Sequence, residues 1–237
     1  LEEFIKELKE FWSTYKLTLV NYLSKCRLIK DWDELFSKLD DNLSALGSMK
    51  QSPYYKVFQD DAKFWEDKLE VIRLLFDIWI DVQRRWVYLE GIFLSSADIK
   101  LQLPNEYSRF RSINNEFVKL MQQVSKKSEI LEVVAITNLE EQLTHLSKLL
   151  NNIQKALGEY LERQRTAFPR FYFCGDEDLL EIIGNGKEPV KILKHIGKMF
   201  AGITSLELLG DQKRTINAFT SKEGEIVNLQ ESYDIPQ

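Results

Sequence analysis

Cysteine, proline and glycine are scarce in this sequence of 237 residues, with two, five and ten copies respectively. The cysteines, Cys26 and Cys174, lie far apart without a CxxC spacing, which excludes a disulfide-stapled framework and implies reduced thiols in a cytosolic protein. With 44 % apolar and 29 % charged residues beside so little Pro and Gly, extended disorder is excluded as well. No apolar run is long enough for a membrane-spanning helix, so no membrane insertion is expected, and no signal peptide opens the chain. A basic excess is also missing. The 32 Lys and Arg are outnumbered by 37 Asp and Glu, interspersed along the chain, which gives no surface for nucleic acid. His145 and His195 lack a Cys or carboxylate at metal-ligand spacing. Each is expected to be a solvated or singly bonded imidazole, and no metal site is expected.

What the chain has instead is helical periodicity. Phe58, Ala62, Trp65, Leu69, Ile72, Phe76 and Trp79 recur in steps of four and three, and Trp86 and Phe93 rejoin the row after the polar Gln83 and Glu90. This spacing predicts one helix over 52–93, about 60 Å long, with Ser52 as its cap and Pro53 at its first position. Such a length suggests a mechanical element. Ile80, Val82, Val87 and Tyr88 lie off the main stripe, so the helix touches more than one neighbour, either within its own bundle or on another domain.

Around this helix the chain reads as follows. Residues 1–16 form an amphipathic helix (Phe4, Ile5, Leu8, Phe11, Trp12), and a chain opening inside such a pattern reads as a piece of something longer. Residues 17–30 fit a short strand through Leu17, Leu19 and Tyr22, or a continuing helix through Tyr15, Leu19, Tyr22 and Leu23; both readings stand. Asp31 and Glu34 resemble a capping box for a helix that Gly47 ends. After the long helix come a loop from Ser95 to Pro104, a helix through Phe110, Phe117 and Val124, a polar break at Ser125 to Ser128, and a short helix at Ile130. A second long helix carries Leu139, Leu143, Leu146, Leu150, Ile153, Leu157 and Tyr160. Phe171, Tyr172 and Phe173 have strand character. Asp176 caps a small helix stopped by Gly184, and Pro189 begins another with Leu193, Ile196, Phe200 and Ile203 on its apolar side. Ile216 to Thr220 and Glu225 to Leu229 flank a turn and predict a β-hairpin. The fold class expected is therefore all-α, an elongated bundle of long antiparallel helices with a small C-terminal hairpin. Residues 1–210 form the helical rod and residues 211–237 the hairpin and connector.

No catalytic or cofactor-binding residues emerge. Gly184-Asn185-Gly186-Lys187 has Glu181 and Glu188 where a phosphate-binding loop needs Gly and Ser or Thr, and no strand leads into it; a helix-ending turn explains both glycines. The acids Asp60, Asp61, Glu66 and Asp67 fall on the polar face of the long helix, and Asp176, Glu177 and Asp178 begin a helix, where the backbone dipole favours negative charge. The residues singled out are structural: Trp65, Phe76, Trp79, Trp86 and Phe93 in the seam of the long helix, with the aromatic run Phe171, Tyr172 and Phe173.

Several strings carry a resemblance: Ser52-Pro53-Tyr54-Tyr55-Lys56; Trp65-Glu66-Asp67-Lys68-Leu69; the run from Trp79 through Gln83-Arg84-Arg85-Trp86 and Tyr88-Leu89-Glu90-Gly91 to Phe93; Phe168-Pro169-Arg170-Phe171-Tyr172-Phe173; and Gly175-Asp176-Glu177-Asp178-Leu179-Leu180-Glu181-Ile182-Ile183-Gly184-Asn185. In this order, and over nearly the whole chain, the sequence resembles the linker region of cytoplasmic dynein heavy chains. The resemblance implies an arched helical rod lying across a ring of AAA+ modules, here its ring-proximal part, with residues 211–237 leading to the first module. It implies a lever that relays nucleotide-driven changes in the ring into a power stroke along microtubules, in the cytoplasm and on the cytoskeleton. ATP and magnesium then belong to the ring of the parent chain, with no cofactor and no hydrolysis in these residues. The partners implied are the ring of the same heavy chain, the other dynein subunits and microtubules. Ser95 to Pro104 and Ser125 to Ser128 are the candidate places to flex. Composition alone suits a helical tethering or adaptor bundle equally well, and the strings discriminate against it.

Overall fold

A computed structural model describes residues 1–95, 97–186, 188–210 and 213–235. The chain is predominantly helical, with two small antiparallel sheets, and divides into two compact units. The first comprises residues 1–87 and 110–151; the second comprises 88–109 and 152–237.

In the first unit, α1 (Glu2–Thr14) is followed by strands β1 (Leu19–Tyr22) and β2 (Cys26–Ile29), which pair antiparallel from Leu19 opposite Ile29 to Tyr22 opposite Cys26. Of the two readings for residues 17–30, the strand is the one found. The turn places Leu23 and Ser24 at positive φ (44° and 55°), a conformation that such hairpin turns require and that Gly, Asn or Asp usually supply. An isolated two-stranded hairpin is marginal in water, so it needs a support.

That support is Gln83. Its side-chain amide donates to the Ile29 carbonyl and accepts from the Ile29 N–H, both at 2.9 Å, and the group is buried. One side chain thus completes the backbone pairing of β2, and a polar interruption of the stripe turns out to be the residue that docks the hairpin. The loop before it is fixed too: Leu17 N–H donates to the Ser128 carbonyl, and Ile130 N–H to the Tyr15 carbonyl, each at 2.9 Å. The break expected to flex at Ser125 to Ser128 is therefore short, with α5 (Pro104–Lys126) running into it, and is tied down at Ser128.

Helix α2 (Trp32–Met49) departs from expectation at both ends. Asp31 sits in the left-handed region (φ 56°) and its side chain makes no capping bond, so no capping box forms. Gly47 lies inside the helix, because the buried Leu46 and Met49 continue the apolar row past it. Helix α3 (Tyr55–Ser95) begins after Pro53 rather than on it; Ser52 Oγ accepts the Tyr54 N–H at 3.3 Å in the turn that precedes it. Residues 55–87 of α3 belong to the first unit. There Leu69, Ile72, Phe76, Trp79 and Trp86 are buried, Phe76 stacks on Trp79 (5.4 Å between centroids), and Trp86 meets Phe117 of α5 at 4.7 Å. The short helix α6 (Ile130–Val134) and α7 (Leu139–Ala167) follow, the latter giving residues 139–151 to this unit.

The second unit takes the end of α3, where Phe93 packs on Tyr107 at 5.5 Å, and α4 (Ala97–Gln102), which occupies much of the expected Ser95 to Pro104 loop; Ser96 lies outside the described residues. After α7, Pro169–Phe173 form a 3-10 turn rather than a strand. Helix α8 (Asp176–Gly184) is capped by the backbone of Gly175; Asp176 is its first residue and pairs with Arg165 at 2.7 Å instead of capping. Helix α9 (Pro189–Met199) starts at Pro189 as its sequence predicts, but stops at Met199, and Ile203 belongs to β3 (Ile203–Leu209). This strand pairs with β4 (Thr215–Ser221), which pairs with β5 (Ile226–Asp234), all antiparallel. The expected hairpin is β4–β5, joined by β3 into a three-stranded sheet. Its turn depends on Gly224 (φ 87°), whose N–H donates to the Ser221 carbonyl at 3.1 Å; an L side chain there is strained.

Candidate functional site

The structural residues singled out in the sequence do not converge on one site. Trp65, Phe76, Trp79 and Trp86 are buried in the first unit and Phe93 in the second, all as packing groups. The run at 171–173 is largely outside the core: Phe171 is half-buried against Phe168, Tyr172 donates its hydroxyl to Glu162 at 2.6 Å, and Phe173 is 70 % exposed. A 3-10 turn cannot bury three successive side chains on one side.

The best-formed concavity among the described residues lies within the second unit, a groove of about 550 Å³. Tyr88, Gly91 and Ile92 come from the end of α3, Ile99 from α4, Leu180, Glu181 and Gly184 from α8 with Asn185 just past its end, and Lys191 from α9. Gly91 leaves the α3 side open, since nothing stands within 4 Å of where a Cβ would project. Asn185 is fixed by donation from Nδ2 to the Glu181 carbonyl at 2.8 Å. Burial, together with Asp176 and Glu177, pushes the Tyr88 phenol above its usual range, so it stays protonated in the groove wall.

Behind this wall a charge cluster joins α8 to α9. His195 is buried, with Nε2 at 3.0 Å from Glu181 Oε2 and Nδ1 at 3.5 Å from Asp178 Oδ1. Lys194 reaches the other oxygen of Glu181 at 2.6 Å and Lys198 the other oxygen of Asp178 at 2.8 Å. His145 is exposed, and His195 is buried with one hydrogen bond, to Glu181, while its Nδ1 makes none among the described residues, so the expectation of a solvated or singly bonded imidazole holds. Asp178 and Glu181 stand one turn apart on α8, and Lys194 and Lys198 one turn apart on α9, so two facing rows enclose the imidazole. The hydrogen bond from Lys198 holds the Asp178 carboxyl below its ordinary range, and that from Lys194 does the same for Glu181, with His195 adding to both.

These depressed values set a pH dependence. Both carboxylates bind protons more readily in the unfolded chain, so their contribution is complete above the ordinary carboxylate range, about 4, and is lost as pH falls through their lower folded values. Asp178→Asn with Glu181→Gln is expected to flatten the acid limb of a stability-versus-pH curve below about pH 4. Equal slopes for variant and parent in a denaturation series from pH 6 to pH 2 would count against the cluster.

Cys174 is buried, and its thiol is pushed up chiefly by that burial and then by Asp178, the opposite of what a nucleophilic thiolate needs. Among the described residues, no group of three or more His, Cys, Asp and Glu is placed to hold a metal ion. Gly184 to Gly186 close α8, with Asn185 N–H on the Glu181 carbonyl and Gly186 N–H on the Ile183 carbonyl; Lys187 lies outside the described residues. No described helix is long and apolar enough to cross a membrane.

A sequence profile of the family described as "Dynein heavy chain, N-terminal region 2" matches residues 1–237. Among curated relatives, "Dynein heavy chain, cytoplasmic" of Dictyostelium discoideum is 56 % identical over 235 residues, 99 % of this chain. The protein of the same description from Drosophila melanogaster is 55 % identical over 97 % of the chain. "Dynein-1-beta heavy chain, flagellar inner arm I1 complex" of Chlamydomonas reinhardtii is 38 % identical over 95 %. The chain spans 5 % of the length of each of these relatives.

Proposed function

Because the chain belongs to the dynein heavy chain family, through its N-terminal region 2, we propose that it is a mechanical linker of a dynein motor. In this reading, residues 1–210 are the ring-proximal part of a lever, and residues 211–237 connect it to the first AAA+ module. The lever relays nucleotide-driven changes in the ring of the same heavy chain into minus-end-directed movement along microtubules in the cytoplasm. ATP and magnesium bind in the ring, and these residues perform no hydrolysis of their own.

The observation that carries the reading is α3. It runs without interruption for 41 residues, about 60 Å, and its buried stripe supplies packing groups to both compact units. In the first unit Trp86 of α3 meets Phe117 of α5, and in the second unit Phe93 of α3 meets Tyr107 of α5, so each unit has its own contact between the two helices. Long helices held side by side resist bending, so a displacement at one end reaches the other.

The test softens the helix without touching its core. Glu70 and Asp77 are exposed on α3. Replacing both with Gly costs about 1 kcal/mol each relative to Ala in a helix interior. In the full-length heavy chain, Glu70→Gly with Asp77→Gly is expected to slow microtubule gliding at least twofold against the double Ala variant, while ATP turnover stays the same. Gliding at equal speed in the two variants would sink the lever.

A further inference from the structure

Helix α3 carries a second apolar row, on the face away from its buried aromatic stripe, which the fold uses only in part. Val57, Phe64, Val71, Ile78 and Arg85 follow at every seventh residue, the spacing that keeps side chains along one helix seam. The last two members meet α7. Arg85 donates to Asn151 Oδ1 at 3.0 Å, and Ile78 shares a groove with Thr144, Ser147 and Lys148. Both helices rise together along this seam, with Ile78 beside the Thr144 to Lys148 turn and Arg85 beside Asn151.

The seam outlasts its partner. Helix α7 begins at Leu139, about 7 Å below Thr144, whereas Val71 lies about 10 Å below Ile78. The lower members accordingly face solvent: Val57 is 78 % exposed, Phe64 57 %, Val71 50 % and, one turn above it, Leu74 65 %. Four large apolar side chains stand exposed along about 25 Å of one helix, with Asp60, Asp61, Asp67 and Lys68 in the turns between them, an apolar row of the kind that marks an interaction site. Asp60 and Asp67 border the row and have no ion-pair or side-chain hydrogen-bond partner among the described residues. Lys68, on the opposite border, is engaged over the rings of Phe64 and Trp65.

We propose that this row is the seat of an amphipathic helix with Lys or Arg at its flanks, supplied by the same heavy chain from outside residues 1–237. It extends the α3–α7 seam beyond the start of α7. The apolar knobs of such a helix fill the spaces around Phe64 and Val71, and its basic groups meet Asp60 and Asp67. A second copy of this chain is the poorer occupant. Paired through this face in parallel, two copies set Asp60 beside Asp61 and Asp67 beside Lys68; paired antiparallel about Phe64, they set Asp60 against Asp67 on one border and Asp61 against Lys68 on the other, so neither arrangement neutralises both Asp60 and Asp67. A helix on the same polypeptide, joined by a segment that spans to this face, also binds without the concentration dependence of a second molecule. The inference rests on membership of the heavy chain family and not on the lever reading.

The full-length heavy chain carrying a photoactivatable benzoylphenylalanine at Phe64 tests it. Irradiation, digestion and mass spectrometry are expected to recover a peptide of the same polypeptide with a seven-residue apolar repeat and flanking Lys or Arg. Adding Asp60→Lys and Asp67→Lys is expected to lower the yield of that product at least fivefold. The proposal is overturned by capture of a second copy or another protein, by a same-chain peptide without that pattern, by a yield indifferent to the charge reversals, or by no product at all. None of these outcomes depends on gliding speed, so failure here and failure of the lever are separable.

Discussion

Replacing Trp79 with Ala is expected to lower the stability of the first unit by about 3–5 kcal/mol, the cost of truncating a large side chain in a closed core. Trp79 is fully buried and stacks on Phe76, so neighbours cannot close the space without disturbing a second aromatic. The indole carries an opposing term. Its Nε1 has no hydrogen-bond partner among the described residues, and an unpaired buried donor costs about 1–3 kcal/mol. Trp79→Phe removes that donor and keeps most of the ring, and is expected to lose far less than the Ala variant. Hydrogen exchange of the α3 amides at 55–87, together with a denaturant midpoint at unchanged slope, separates the two. A Phe variant as unstable as the Ala variant would mean that the indole N–H is satisfied in solution.

The elements legible in the sequence are those whose apolar period is long. The stripe from Phe58 to Phe93 places α3 within a few residues of its observed ends, and Leu139 marks the start of α7, which runs on past Tyr160 to Ala167. Pro189 and Gly184 mark boundaries that the structure keeps. What escapes is set by contacts distant in sequence. The β1–β2 turn carries no Gly, Asn or Asp at its positive-φ positions, so Leu23 and Ser24 give no signal of it. Ile203 continues the helical spacing of Ile196 and Phe200, and only pairing with Ser221 makes it a strand. Strand propensity depends on such neighbours more than on the segment itself.

The candidate site was less legible still. Its groove is lined from four helices, and no spacing rule relates Gly91 to Asn185. The His195 cluster did leave a trace, since acids at 178 and 181 on one amphipathic helix and lysines at 194 and 198 on the next are complementary rows. Their pairing becomes visible once both helices are known to share an apolar side, with Leu179, Leu180 and Ile182 on one and Ile196 and Met199 on the other. The exposed row from Val57 to Leu74 was equally present in the sequence, hidden by the stronger aromatic stripe of the same helix.

Gln83 is where a polar residue in an apolar row has a measurable meaning. Gln83→Leu nearly conserves volume and would be mild if the site were only packing. It strips the Ile29 N–H and carbonyl of their partner, however, and both lie in a buried setting. At about 1–3 kcal/mol for each unsatisfied group, the expected loss is about 2–5 kcal/mol. The β1–β2 hairpin should detach before the helices melt, because its strands have only one another to pair with. Amide exchange at Ile29 is expected to accelerate at least tenfold in the Leu variant, ahead of any change at Leu69 or Ile72 in α3. Gln83→Glu separates the two bonds: a carboxylate still accepts the Ile29 N–H but cannot donate to its carbonyl. The buried charge against that carbonyl adds its own cost, so protection at Ile29 in the Glu variant at neutral pH should fall at least as far as in the Leu variant. Parent-like exchange in the Leu variant would show that the hairpin is held by the packing of Leu28 and Ile29 alone.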